Sequence, residues 1–226
     1  MPLRSTAAGK PARDAVHRPL FARYYARVSV AAETRMGMGG IRERLLAGLS
    51  GRVLEVGAGN GLNFAHYPGT VSEVVGIEPE RTLRQLAVDA AVRAGVPVDV
   101  VPGAAEALPV KSEAFDAVVL SLVLCSVRDV PRALGEVRRV LRPGGEVRFF
   151  EHGRGGGRAM TATQRALDLT VWPRLNGGCH VSRDPVAALR SAGFELGPYR
   201  SFLMPDKGPA LPMSYCVLGT AWRPEA

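Results

Sequence analysis

Val53-Leu54-Glu55-Val56-Gly57-Ala58-Gly59-Asn60-Gly61, the run VLEVGAGNG, is the stretch whose reading decides the fold of this chain. Val53, Leu54 and Val56 are the apolar residues of a short, buried, parallel strand. The strand breaks into Gly57, Gly59 and Gly61, which allow positive φ and carry no Cβ to keep a ligand away from the backbone. Such a turn predicts backbone amides that face an anion or a nucleoside. The spacing is GxGxG, and Leu62 stands where a dinucleotide fingerprint wants its third glycine, which lowers the case for a pyrophosphate. No Lys-Ser/Thr follows, so a Walker loop is excluded.

Seventeen residues beyond Gly61, a second apolar run, Val74 to Ile77, ends in Glu78. In doubly wound sheets an acid at a strand's carboxyl end accepts hydrogen bonds from both ribose hydroxyls, so the two strands, the glycine turn and Glu78 together describe an adenosine pocket. The plainer alternative is a Glu that caps the following helix, 79–95. Beyond this point strands and helices alternate: strand 98–101, strand 115–120, helix 130–141 opened by Asp129 and Pro131, then strand 146–151. Helices near 62–67, 80–94, 161–172 and 184–192 and strands at 194–202 and 214–223 complete the pattern. It predicts an α/β fold, a Rossmann-like doubly wound seven-stranded sheet, mostly parallel, with an antiparallel terminal strand.

A chain of 226 residues with 46% hydrophobic content can bury one sizeable core. Residues 20–226 are expected to form a single domain behind a flexible tail, 1–19. Within 20–50, a leading helix carries Phe21, Tyr24, Tyr25, Val28 and Ala32 near one face and is either a lid or a helix packed on the sheet. Cys125, Cys179 and Cys216 are far apart, which predicts a reducing, cytoplasmic setting and no disulfide. Neither CxxC nor HExxH occurs, and adjacent Cys179 and His180 are a poor start for a zinc site, so no metal is expected. The net charge of +8 comes almost wholly from arginine, with only Lys10, Lys111 and Lys207 as lysines. These charges are scattered and lack aromatic platforms, so no nucleic acid is expected as a partner. No apolar run reaches the ~18 residues of a transmembrane segment.

The motifs LEVGAGNG at 54–61, GIEPE at 76–80, GAAEALPV at 103–110, FDAVVLSLVLCSV at 115–127 and EVRRVLRPGGEVRFFEH at 136–152 follow one another in order. On these the chain resembles the class I S-adenosylmethionine-dependent methyltransferases over about 42–222. NxxxY at 63–67, LVLCSV at 122–127, RPGG then EH, and GGCHVSRD at 177–184 are most similar to the branch whose animal members methylate small thiols, and also to the ubiquinone-biosynthesis type. The resemblance implies S-adenosyl-L-methionine as cofactor and a small-molecule methyl acceptor. It implies that Gly57, Gly59, Gly61 and Asn63 approach the methionyl and ribose parts, with Glu55 ordering the loop or reaching the methionyl ammonium through water. Glu78 and Pro79 would meet the ribose, and Ala104, Ala105 and Glu106 would bracket adenine, Ala104 standing where relatives often carry Asp. Ser121 and Leu122 would contact the methionyl chain. His152, His180 and Tyr24 or Tyr25 are candidates on the acceptor side, His152 first, each with a purely structural alternative; Cys125 reads as a small buried apolar residue. The rival readings are a non-catalytic binding protein of this fold and a methyltransferase acting on RNA.

Overall fold

The computed structural model describes residues 18–206 and 209–225, so most of the expected tail, and Lys207, lie outside the described residues. After α1 (Pro19–Arg35) and α2 (Met38–Leu46) come β1 (Gly51–Val56), β2 (Val71–Ile77), α3 (Arg81–Ala91), β3 (Val98–Val101), β4 (Phe115–Ser121), α4 (Val130–Val140) and β5 (Leu141–His152). Then follow α5 (Arg158–Asp168), α6 (Trp172–Leu175), α7 (Pro185–Ser191), β6 (Glu195–Leu203) and β7 (Tyr215–Trp222). The strands form one sheet in the order β3-β2-β1-β4-β5-β7-β6. β7 runs against both of its neighbours, and the other pairings are parallel. The antiparallel strand is therefore last in the chain yet not at the edge: it slots between β5 and β6.

The apolar runs are continuous because the sheet is covered on both faces. Leu54, Val56, Val118, Leu120 and Phe149 pack with Leu134, Val137 and Val140 of α4 and Leu189 of α7. The alternate residues Val53, Ala117, Val119 and Phe150 pack with Leu45 and Leu46 of α2 and Ala87 of α3. The helix starts are set by side chains that take up free N–H groups: Glu80 accepts from Leu83 N, Asp129 from Arg132 N and Asp184 from Ala187 N.

Two expected helices differ. In place of a helix over 62–67 there is a single 3-10 turn, Phe64–His66. Pro68 forbids its continuation, and Glu55 captures the side chains of Asn63 and Tyr67 on either side of it. The expected helix 161–172 starts at Arg158, ends at Asp168 and is followed by the separate turn α6, which opens with Pro173 at its second position. No helix among the described residues is long and apolar enough to cross a membrane.

Candidate functional site

The carboxyl ends of β1, β2, β4 and β5 open into one crevice, the place where ligands bind in doubly wound sheets. At the end of β1 the three glycines all have positive φ, but for different reasons. A Cβ on Gly57 would lie 2.7 Å from Val123, and one on Gly61 would press on Ala90 and Phe64 at 2.8 and 2.9 Å. Gly61 thus serves packing against α3 and the 3-10 turn. The turn's amides are not free either. Gly57 and Ala58 donate to Ile77 O at 2.8 and 3.0 Å, Gly61 donates to Ala58 O at 2.9 Å, and Gly59 donates to Glu78 at 2.8 Å. A turn with its donors so engaged presents a smooth face rather than an anion nest, which agrees with the case against a pyrophosphate.

Glu78 is 5% exposed, and its second oxygen accepts from Glu80 N at 2.8 Å. Each oxygen keeps a lone pair for another donor. Burial raises its pKa to about 7, against the pull of the Glu80 and Gly59 amides. Glu55, also pushed up to about 7 by burial, accepts from Asn63 Nδ2 at 2.8 Å and Tyr67 Oη at 2.7 Å. Arg42 donates to Asn63 Oδ1 at 2.6 Å and to Glu33 at 2.8 Å. Both polar ends of Asn63 are therefore spent inside the protein, and of the two roles expected of Glu55 it is loop ordering that the geometry displays. No motif marks Arg42 in the sequence, whereas the NxxxY spacing marks Asn63 and Tyr67, which Glu55 joins.

The turn after β4 is fastened from several sides. Glu151, fully buried, accepts from Val123 N and Leu124 N at 2.8 Å and Cys125 N at 3.3 Å. Arg183 donates to the carbonyls of Leu124 and Val127, and His180 N to Cys125 O at 2.7 Å. Leu122 is held at φ 58°, a conformation that costs a non-glycine residue about 1–3 kcal/mol and survives only where its surroundings over-determine it. Neither Glu151 nor Arg183 stood out as a fastener in the sequence; the EH and SRD motifs were the available signal. The GGCH segment is brought in by its glycines: Gly178, at φ 100°, would place a Cβ 2.9 Å from Ser126 O. That close approach sets Cys179 beside Cys125. One ligand-capable atom from each of Cys125, His152 and Cys179 lies within 4.8 Å of the others, with His152 Nδ1 3.4 Å from Cys179 Sγ. The neighbouring Cys179 sulfur and burial hold the Cys125 thiol well above its ordinary range. The expectation of no metal rested on local spacing, and the fold assembles these residues from three distant segments. His180 itself turns its Nδ1 to Gly178 O at 2.7 Å.

Helix α1 lies across the crevice. The Phe21 ring would meet a Cβ on Gly177 at 2.5 Å, Tyr25 lies 3.5 Å from one on Gly59, and Ser29 accepts from Asn60 at 3.1 Å. Positions 21, 25 and 29 are one helical stripe, four residues apart. Tyr24 falls off it, 58% exposed, so it faces solvent and Tyr25 is the tyrosine of the crevice. Burial raises the Tyr25 phenol, opposed by Arg42 and reinforced by Glu78 and Cys125. Glu106 also departs from expectation: its carboxylate accepts from Arg128 N at 2.8 Å and its carbonyl from Arg132, tying the 103–107 segment to the start of α4 instead of facing a ring. Ala104 bridges Ala107, Ala105 is buried, and Pro79 follows Glu78 at the rim of the same crevice. Ser121 closes β4 opposite Phe150.

Residues 54–149 match the family described as Methyltransferase domain. The chain is 37% identical over 158 residues to a human thiol S-methyltransferase, covering 66% of this chain and 62% of that protein's length. It is 30% identical over 179 residues to the ubiquinone/menaquinone biosynthesis C-methyltransferase of Syntrophotalea carbinolica, covering 74% of this chain and 73% of that one. Among solved structures, a methyltransferase of Thermotoga maritima described as a possible histamine N-methyltransferase has a TM-score of 0.63 at 22% identity, over 91% of this chain and 98% of that chain. A likeness at that identity speaks for the fold alone.

Proposed function

The chain belongs to the S-adenosylmethionine-dependent methyltransferases, and on that footing we propose that residues 20–226 form one catalytic domain that methylates the sulfur of a small-molecule thiol. S-adenosylmethionine supplies a methyl group already activated by the positive sulfur to which it is bound. The residues at the crevice fit it. Glu78 keeps lone pairs for the ribose diol, the glycine turn offers a surface without side chains at Gly59, and Ala104 and Ala105, beyond β3, carry only methyl groups on the segment we assign to adenine. Ser121 and Leu122 border the methionyl side at the end of β4. Glu55 holds the turn through Asn63 and Tyr67, and Gly61 seats it on α3.

Displacement at a methyl carbon asks the protein mainly for alignment and for exclusion of water. Tyr25 and Phe21 provide the cover. A thiol with a pKa near ~8.5 needs only modest help to react as thiolate, and His152, at the end of β5, is the side chain we assign to the acceptor side. One observation carries the acceptor class. α1 crosses the strand ends from Gly59 to Gly177, and Cys125, His152 and Cys179 gather at the ends of β4 and β5 and in the segment after Gly177, a covered arrangement that suits a small acceptor rather than a polymer. The thiol S-methyltransferase relatives support the choice of sulfur, although the chain spans under two thirds of their length. Three free, buried cysteines suit a reducing cytoplasm.

The test is turnover with purified protein, the methyl donor, and a panel of small thiols, phenols, amines and a transfer RNA, followed by mass spectrometry of the products. Methyl thioethers with matching release of S-adenosylhomocysteine are expected. Methylation confined to oxygen, carbon or RNA would overturn the thiol assignment, and donor binding without turnover on any acceptor would favour the non-catalytic reading.

A further inference from the structure

We propose that Cys125, His152 and Cys179 form a three-ligand Zn²⁺ site whose fourth position receives the acceptor thiol. This rests on the thiol reading above for its role, though not for its existence. Zn²⁺ in catalytic sites takes three protein ligands and keeps one position open, and two thiolates with one imidazole are among its common sets. The geometry suits the ion. Zn–S bonds of ~2.3 Å and Zn–N bonds of ~2.05 Å at tetrahedral angles separate sulfur from nitrogen by about 3.6 Å and sulfur from sulfur by about 3.8 Å. His152 Nδ1 and Cys179 Sγ are 3.4 Å apart, and all three ligand atoms fall within 4.8 Å of one another.

The scaffold around the cluster is built to hold positions. Glu151 grips the backbone of the turn that carries Cys125 through three N–H groups, and Arg183 grips two of its carbonyls. His180 N bonds Cys125 O at 2.7 Å, so the segments bearing the two cysteines are locked to each other by backbone. Asp168 accepts from Val181 N and Ser182 N at 2.8 and 3.0 Å, which fixes the far side of the Cys179 turn. His152 is carried by β5, paired with Cys216 of β7. Both cysteines are buried while His152 keeps partial exposure, so the imidazole is the member of the cluster that solvent reaches. His152 ends β5, at the strand-end edge that α1 crosses between Gly59 and Gly177.

An acceptor thiol entering this position binds as thiolate and loses its proton to solvent. Its sulfur lone pair forms the new bond to the methyl carbon, the donor's sulfur–methyl bond breaks, and that electron pair stays on the donor sulfur. The product is a neutral thioether, a poorer zinc ligand than the thiolate, so it leaves.

The site is tested on the full chain under reducing conditions. Metal-stripped protein titrated with Zn²⁺ against a chromophoric chelator is expected to bind one ion per chain. Cys125→Ser, Cys179→Ser and His152→Ala are each expected to weaken binding at least about 100-fold, more than loss of a supporting hydrogen bond does. Circular dichroism and donor affinity establish that each variant is folded. Should the variants not fold, Co²⁺ loaded into the unaltered protein decides: a tetrahedral spectrum with charge-transfer bands from two thiolates supports the site, and their absence overturns it. Absence of stoichiometric Zn²⁺, or affinity unchanged in either cysteine variant, also overturns it, as does isolation of a Cys125–Cys179 disulfide in place of metal binding. An acceptor thiol should shift the Co²⁺ bands. Bands that shift without any thiol turnover would keep the site and sink the thiol function, whereas thiol turnover undiminished in metal-free protein would keep the function and sink the site's role.

Discussion

Glu78 is the residue on which the donor side can be tested most sharply. Burial lifts its carboxyl to about 7, so its protonation is expected to change across the neutral range in the free protein. The ribose hydroxyls donate to the charged form and the sulfonium favours it, so binding should pull the pKa down and release a proton. Affinity for the donor is therefore expected to rise with pH, by up to about tenfold per unit below pH 7, and to level off above it. Calorimetry across that range in buffers of different ionisation enthalpy reads both the affinity and the proton. Glu78→Gln should cost about 1.5–3 kcal/mol of binding, the worth of hydrogen bonds to a charged group, and flatten the pH profile. A flat profile in the unaltered protein would remove Glu78 from the ribose. The place of this residue was legible, because the apolar run Val74 to Ile77 marks a strand and Glu78 its carboxyl end; its contact with the ribose is what the pH profile tests. The Cys125, His152 and Cys179 cluster was not, since its members are 27 residues apart or more in pairs and only the fold makes them neighbours.

At the scale of elements, α1 shows what helical periodicity can and cannot resolve. The sequence marks an amphipathic helix, but two adjacent tyrosines, Tyr24 and Tyr25, both fit a broad apolar stripe. Only the seating of Phe21 on Gly177 and Ser29 on Asn60 fixes the face, and it selects Tyr25. If α1 roofs the donor, Tyr25→Ala should weaken donor affinity about fivefold, the scale of one lost aromatic contact of about 1 kcal/mol. Tyr25→Phe should retain it, and Tyr24→Ala should leave affinity and turnover unchanged. Equal effects from both alanine variants, measured by calorimetry, would assign α1 to packing alone. The turn at 64–66 is illegible for a related reason: Glu55 recruits Asn63 and Tyr67 by tertiary hydrogen bonds, and these override the helical preference of the intervening residues.

The whole molecule is a sheet clad on both faces, and this much is written in the chain, because strands such as Ala117 to Leu120 show no polar alternation. The placement of β7 is less plainly written. A terminal hairpin suggests successive strands added outward, yet β7 enters between β5 and β6, where its backbone is paired on both sides. Gly219 permits the insertion: a Cβ there would lie 2.7 Å from the Phe149 ring and 2.4 Å from Tyr199. Phe149, fully buried at the middle of β5, fills the space that Gly219 leaves and packs in the same core as α4 and α7. Phe149→Ala should therefore destabilise the protein by about 3–5 kcal/mol, a large share of the roughly 5–15 kcal/mol that holds a domain folded. Urea unfolding followed by circular dichroism measures the change. The fastened turn at 122–127 is held by Glu151 and Arg183 rather than by this ring, so the folded fraction should bind the methyl donor with unchanged affinity. A loss of affinity in parallel with stability would mean that the crevice is set by the packing of the whole sheet and not by the local hydrogen bonds that fasten it.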